Sequence, residues 1–231
     1  MRLECSEREK AIYIITYKSK KSMMICIEPH YMGSLEYFVS LLQVKSIHLE
    51  VNDYFVKQTF RNRCYILGSN DVQVLVVPVH HSNKAIYRDV KIDYGQNWLK
   101  DHRRAIQSAY GKAPFYDHFY DLFDRVWMSK PVFLMDLSIA MMTICLKILQ
   151  IDMQIDQTYS YSKPLLGEYV DQRNSILPKI SFMNRNIYKP KPYIQNFGNN
   201  FVSNLSIIDL LMCEGPNGKA ILQRSKSLSV N

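Results

Sequence analysis

Residues 24–51 read M-I-C-I-E-P-H-Y-M-G-S-L-E-Y-F-V-S-L-L-Q-V-K-S-I-H-L-E-V, and this stretch decides the fold class. A short apolar run, 24–28, has the composition of a buried strand and stops at Pro29. Residues 34–44 then place Leu35, Phe38, Leu41 and Leu42 on one helical face, with Ser34 as the predicted N-cap. Residues 46–51 alternate Ile47, Leu49 and Val51 against His48 and Glu50, as a half-buried strand does. Strand, helix and strand in that order predict an α/β unit.

Working outward, residues 54–67 and 73–79 read as two further strands joined by Gly-Ser-Asn-Asp, a turn that suits a hairpin. Residues 85–92 read as a short strand. From Trp98 the pattern becomes helical, with predicted helices over 98–110, 115–128 and 133–151. A strand is expected at 154–161, and a long ordered loop over 162–200, which holds four of the nine prolines. Short helices follow at 205–213 and 219–224. The prediction is a single α/β domain with a mixed β-sheet N-terminal half and a helical second half.

At 231 residues the chain is long enough for one substantial core and short for two. Composition is globular, with 47% hydrophobic and 22% charged residues, which excludes a disordered or fibrous protein. Cys5, Cys26, Cys64, Cys145 and Cys213 are scattered without knuckle or CxxC spacing. They read as small core residues in a reducing compartment, and a cytoplasmic location is expected. Residues 1–22 carry a net +3 of the total +8, with a five-residue apolar stretch too short for a signal peptide. They read as an extension outside a domain covering 23–231. The remaining +5 favours an anionic small molecule, while Lys and Arg are too dispersed to expect nucleic acid. Residues 131–151 have the length of a membrane span, but Asp136, Ala140, Thr143, Lys147 and Gln150 draw a narrow polar stripe. That pattern belongs to a mostly buried core helix, so no membrane span is expected.

Four constellations carry the candidate chemistry. Residues 29–38, P-H-Y-M-G-S-L-E-Y-F, run from a strand through a Gly-containing turn to a helix N-terminus, where free N–H groups would favour an anion. The turn loosely echoes a His-x-Gly-His nucleotidyl-transfer motif, with only His30 and Gly33 present. Residues 50–63 carry Glu50, Asp53 and Lys57 ahead of Arg61-Asn62-Arg63. Within K-Q-T-F-R-N-R (57–63), Arg61 and Arg63 would share one strand face as a fork for phosphate or carboxylate, with Asn62 opposite, or form a solvated edge with Arg paired to Asp or Glu. In W-L-K-D-H (98–102), His102 shares a helical face with Trp98, Ala105, Ile106 and Ala109, as a packed core histidine or a tuned base. Around 193–215, Gln195, Asn204, Ser206 and Asp209 surround a helix start, with Asn204 or Ser206 as natural N-cap. His80-His81 lack a third ligand at readable spacing, so no metal site is expected.

These segments together resemble the WbqC-like protein family. The resemblance is carried by P-H-Y-x-G-S-L-E-Y-F (29–38), K-Q-T-F-R-N-R-C-x-I (57–66), L-V-V-P-V (75–79), W-x-x-x-H (98–102), S-A-Y-x-x-x-P-F-Y (108–116), Y-x-Q-x-F (193–197) and N-L-S-I-I-D-L-L with E-G-P (204–216). Met32 and Gly33 stand where many members carry Leu-Pro. The resemblance implies bacterial surface-polysaccharide (O-antigen) synthesis and transfer of an acyl or aminoacyl group to a nucleotide-linked amino sugar. Under that expectation Lys57, Arg61 and Arg63 hold the diphosphate. Asn62, Tyr31, Tyr110 and Gln195 contact substrate, and His102 or Asp53 takes the proton. A nucleotide-sugar or acyl donor is the expected small-molecule partner. No cofactor is specified, and the oligomeric state stays open. The alternatives are a nucleotidyl-transfer-like enzyme built on residues 29–38, and a non-catalytic sugar- or protein-binding module.

Overall fold

The computed structural model describes residues 24–80, 84–163, 169–198 and 200–227, so the expectations for residues 1–22, Cys5 and His81 fall outside the described residues. Strand β1 (Met24–Ile27) and strand β2 (Ser46–Leu49) run parallel, with helix α1 (Leu35–Leu41) between them in the chain. Ile25 pairs with Ile47 and Ile27 with Leu49. Strand β7 (Gln154–Gln157) lies parallel outside β2, and strand β8 (Tyr169–Asp171) parallel outside β1, giving the order β7-β2-β1-β8. Ile25, Cys26 and Ile27 are all buried, as a parallel strand covered on both faces requires.

Antiparallel pairing occupies two separate ribbons: β3 (Arg63–Leu67) with β4 (Val72–Val76), and β5 (Val79–His80) with β6 (Lys91–Ile92). The α/β class therefore holds, with its parallel and antiparallel pairs in different sheets. Three local expectations do not, the first being the strand over 85–92, which is a 3₁₀ turn at Tyr87–Asp89 with β6 only at Lys91–Ile92. Residues 54–62 are not strand; β3 begins only at Arg63. Thr59, Phe60, Arg61 and Asn62 instead pack inward as a turn, which an alternating strand could not do. That turn is pinned by Tyr31 N donating to Phe60 O at 2.9 Å and Asn62 Nδ2 donating to Val77 O at 2.9 Å. In addition, residues 162–200 contain β8 and a 3₁₀ turn, Phe182–Asn184, where a loop was expected.

The helical half follows the periodicity closely: α2 (Trp98–Tyr110), α3 (Tyr116–Met128), α4 (Leu134–Ile148), α5 (Ile207–Glu214) and α6 (Gly218–Arg224). On α4 the buried face runs through Leu134, Leu137, Met141 and Cys145, while Asp136, Thr143 and Lys147 are exposed. Among the described residues no helix is long and apolar enough to cross a membrane. Helix α5 is buried from Ile207 to Cys213 and packs against α2, α3, α4 and β3, so it is the centre of the core. It ends at Gly215, with φ 55°, where an added Cβ would stand 2.5 Å from the Phe115 ring. Cys26, Cys64, Cys145 and Cys213 are all free and buried, in keeping with their reading as core residues.

The N-termini of α1 and α5 are stitched together. Leu35 N donates to Leu205 O and Ile207 N to Gly33 O, each at 2.9 Å. Ser34 caps α1 as expected, and Ser206 caps α5 while its hydroxyl donates to Met32 O at 2.7 Å. Asn204 does not cap its own helix; its Oδ1 accepts from Glu36 N at 2.9 Å. The first amides of α1 thus all bond within the protein, through Leu205, Asn204 and Ser34. Those first amides of α1 are therefore not free for the anion expected at this helix start.

Candidate active site

In an open parallel sheet the residues just past the strands' carboxyl ends line a crevice, and ligands bind where neighbouring connections diverge. Here that point lies between β1, whose chain leaves toward β2, and β8 on its other side. The residues at this edge are unusually charged for their burial. Glu28 follows β1, Glu50 follows β2, Thr158 follows β7, and Arg173 and Asn174 follow β8. Glu28 and Glu50 are each 1% exposed.

Their partners form one network. Glu28 Oε2 accepts from Asn174 N at 2.9 Å, which ties β1 to β8, and its Oε1 lies 3.3 Å from His30 Nε2. Burial alone would push the Glu28 carboxyl up. The His30 bond, the Arg61 charge and the Asn174 N–H outweigh that and hold it below the usual carboxylate range. Glu50 accepts from Arg173 Nη1 at 3.0 Å, Thr158 Oγ1 at 2.8 Å and Asn52 N at 2.9 Å. Arg173 also holds Asp171 through two bonds of 2.8 and 2.9 Å.

Arg61 enters the network from the turn and is 1% exposed. Its Nη1 donates to Tyr54 O at 2.7 Å, and its Nη2 to Asn174 Oδ1 at 3.1 Å and to Asp53 Oδ2 at 3.3 Å. Its guanidinium carbon sits 5.6 Å from the Tyr87 ring centre. The fork of Arg61 and Arg63 on one strand face does not form, because only Arg63 lies in β3. Lys57 is exposed on the same turn.

His30 is the residue that sequence reasoning undervalued. It is 2% exposed, stacks on Tyr37 with ring centres 4.3 Å apart, and lies 5.5 Å from the Phe60 ring. With Nε2–H donated to Glu28, Nδ1 is the atom left to take a proton, and it has no partner. Among the described residues, seven buried polar side-chain atoms lack a partner, and four belong to His30, Arg61, Asn62 and Arg63. Such orphans call for an explanation, and four of the seven fall in two motifs. The signal was present in the sequence as the Glu28-x-His30 spacing just beyond a buried strand.

The profile of the WbqC-like protein family matches residues 28–170 and 168–221. The chain belongs to the WbqC-like protein family. No curated protein and no solved structure matches it. The matched span takes in the whole edge network, from Glu28 to Asn174.

Two further groups of predicted residues sit elsewhere in this WbqC-like chain. His102 is 3% exposed and uses both ring nitrogens: Tyr31 Oη donates to Nδ1 at 3.0 Å, and Nε2 donates to Val76 O at 3.2 Å. Trp127 Nε1 donates to the same Tyr31 hydroxyl at 3.0 Å. Burial lowers the imidazole to about 4, against the smaller raising effect of the Val76 bond. This is a core relay, and the expected cleft-lip histidine is not what the geometry provides. Tyr110 and Gln195 do meet, on Asp209: the Tyr110 hydroxyl donates to Oδ1 and Gln195 Nε2 to Oδ2, each at 3.0 Å, with Tyr193 also donating to Oδ2. Burial pushes the Asp209 carboxyl above its usual range despite these donors. Of the nine predicted site residues, Asp53 and Arg61 meet at the edge, Tyr31 meets His102, and Tyr110 meets Gln195. Among the described residues no group of three His, Cys, Asp or Glu could hold a metal ion.

Proposed function

We propose that this WbqC-like protein is a transferase of bacterial surface-polysaccharide synthesis, passing an acyl or aminoacyl group to the amine of a nucleotide-linked amino sugar. The reaction would centre on the carboxyl edge of the parallel sheet. The observation that carries this reading is the buried Glu28–His30 pair just beyond β1, whose imidazole Nδ1 is buried without a hydrogen-bond partner. An amine attacking a carbonyl must lose a proton as the C–N bond forms. The leaving group departs with the electron pair of the bond it made to carbon, and the proton goes to His30 Nδ1. Glu28 orients the ring and offsets the charge it gains, as a buried carboxylate does for a general base.

Charge supports an amine as acceptor. The edge gathers Glu28, Glu50, Asp53 and Asp171 around Arg61 and Arg173, an acidic excess in a chain whose net charge is +8. An ammonium group is favoured there before it loses its proton. Asp53, Arg61 and Asn62 line the turn over the crevice, with Lys57 and Arg63 flanking it for a diphosphate. The exposed rings of Tyr54, Tyr159 and Tyr161 offer flat surfaces for a sugar or base.

The test is turnover of a nucleotide-linked amino sugar with an acyl or aminoacyl donor, followed as a mass gain on the sugar. His30→Asn is expected to lower kcat by about a hundred- to ten-thousand-fold. Wild-type turnover in that variant would remove His30 from the reaction.

A further inference from the structure

A second cavity lies behind the turn, between the β3–β4 ribbon and residues 177–205. Its walls include Phe60, Tyr65, Val72, Leu177, Phe182 and Leu205, and its volume is about 220 Å³. Small-molecule sites usually run from about 300 to 1,000 Å³, so this one takes a fragment of a ligand and not a whole nucleotide sugar. Two of its polar lining residues, Arg185 and Asn204, are already committed. Arg185 grips Glu36 through two bonds of 2.6 Å, and Asn204 accepts from Glu36 N. Among the described lining residues the one cation, Arg185, is thus paired, and what the cavity mainly offers a guest is apolar surface.

The Phe60 ring belongs to this cavity and also lies 5.5 Å from the His30 ring. The Phe60 ring, a wall of the cavity, is thus also a neighbour of the His30 ring. Phe60 is carried by the turn 54–62, where Gln58 adopts φ 60° and Lys57 is exposed.

We propose that this cavity holds the aliphatic part of an acyl donor, with its carbonyl end toward Phe60, so that the transferred group is a short apolar acyl chain. This deepens the transferase reading and rests on it for the direction in which the chain is delivered. The acyl chain would enter by the cavity and the amine from the sheet edge. Phe60 is the positioning residue between them.

Isothermal calorimetry on the full chain tests this with octanoyl-N-acetylcysteamine, a neutral thioester, as the probe. Val72→Trp and Val202→Trp fill the cavity from its partly exposed side, where the fold tolerates bulk. Each is expected to weaken thioester binding by at least about tenfold with an unchanged melting temperature. Absence of thioester binding by the wild type, or equal binding by both tryptophan variants, overturns the proposal. Binding of uridine diphosphate that the same variants abolish also overturns it, by making the cavity a nucleotide site. The assay reads binding without turnover, so failure here leaves the His30 reading intact. Conversely, a His30→Asn variant that binds thioester and still turns over at the wild-type rate defeats the His30 reading alone.

Discussion

At the scale of the residue, His102 and His30 differ in how their ring nitrogens are partnered. Both are almost fully buried, yet His102 has a partner on each nitrogen and His30 on only one. The low value of His102, about 4 against an ordinary 6.5, has a consequence for stability. As pH falls through 6.5 the unfolded chain takes up a proton that the folded chain refuses, so stability declines from there toward pH 4. The contribution amounts to about 2 kcal/mol by pH 5. Urea unfolding at pH 7 and pH 5 should therefore show a larger loss for the wild type than for His102→Gln, and equal losses would contradict the assignment. Tyr31→Phe strands the Trp127 N–H and the His102 Nδ1 and should cost about 1–3 kcal/mol. W-x-x-x-H placed His102 correctly on the buried face of α2. What lay opposite it, Tyr31 from 71 residues away, was not readable from local spacing.

At the scale of the element, the paired N-termini of α1 and α5 explain why two distant motifs are so polar for their burial. Glu36 is fully buried in the first turn of α1 and is held by Arg185 through the bidentate contact. Breaking such a pair from one side leaves an uncompensated buried charge, at a cost of about 3–5 kcal/mol. Arg185→Met is expected to destabilise by that much, and Glu36→Gln added to it should recover a large part. A double variant no better than the single would deny the pairing its role. Ser206→Ala removes a cap and the bond to Met32 O together, and should cost about 1–2 kcal/mol by the same denaturation measurement. Helices of this chain were readable because a 3.6-residue period needs only local sequence. Strand content was less so. Residues 54–62 have strand-like composition but are pulled out of a strand by Arg61 reaching Asp53 and Asn174. Strand β8 is three residues long and owes its existence to β1, not to its own pattern.

At the scale of the whole molecule, the candidate site is assembled from stretches that have no local relation: residues 28–30, 50–53, 61, 158 and 171–174. Sequence reading named parts of it, His30 within 29–38 and Glu50, Asp53 and Arg61 within 50–63, because each of those stretches is contiguous. It could not join Arg173 to Glu50, 123 positions apart. The ends of β1, β2, β7 and β8 are joined by Asn174 N on Glu28 and by Arg173 and Thr158 on Glu50, so the edge network also fastens the sheet. Arg173 has 5% side-chain exposure and faces a Glu50 side chain with none. Arg173→Ala should therefore cost about 3–5 kcal/mol through the stranded Glu50 carboxylate, although no helix is touched. One continuous core cluster runs from Ile25 in β1 through Trp98 and Trp127 to Leu222 in α6. Loss at the sheet edge should accordingly be felt by both tryptophans, which lie in the helical half. In urea, tryptophan fluorescence and far-ultraviolet circular dichroism should shift to a lower midpoint together in this variant. A fluorescence transition left at the wild-type midpoint would mean that sheet and helices unfold independently, and that the edge network serves the site without holding the fold.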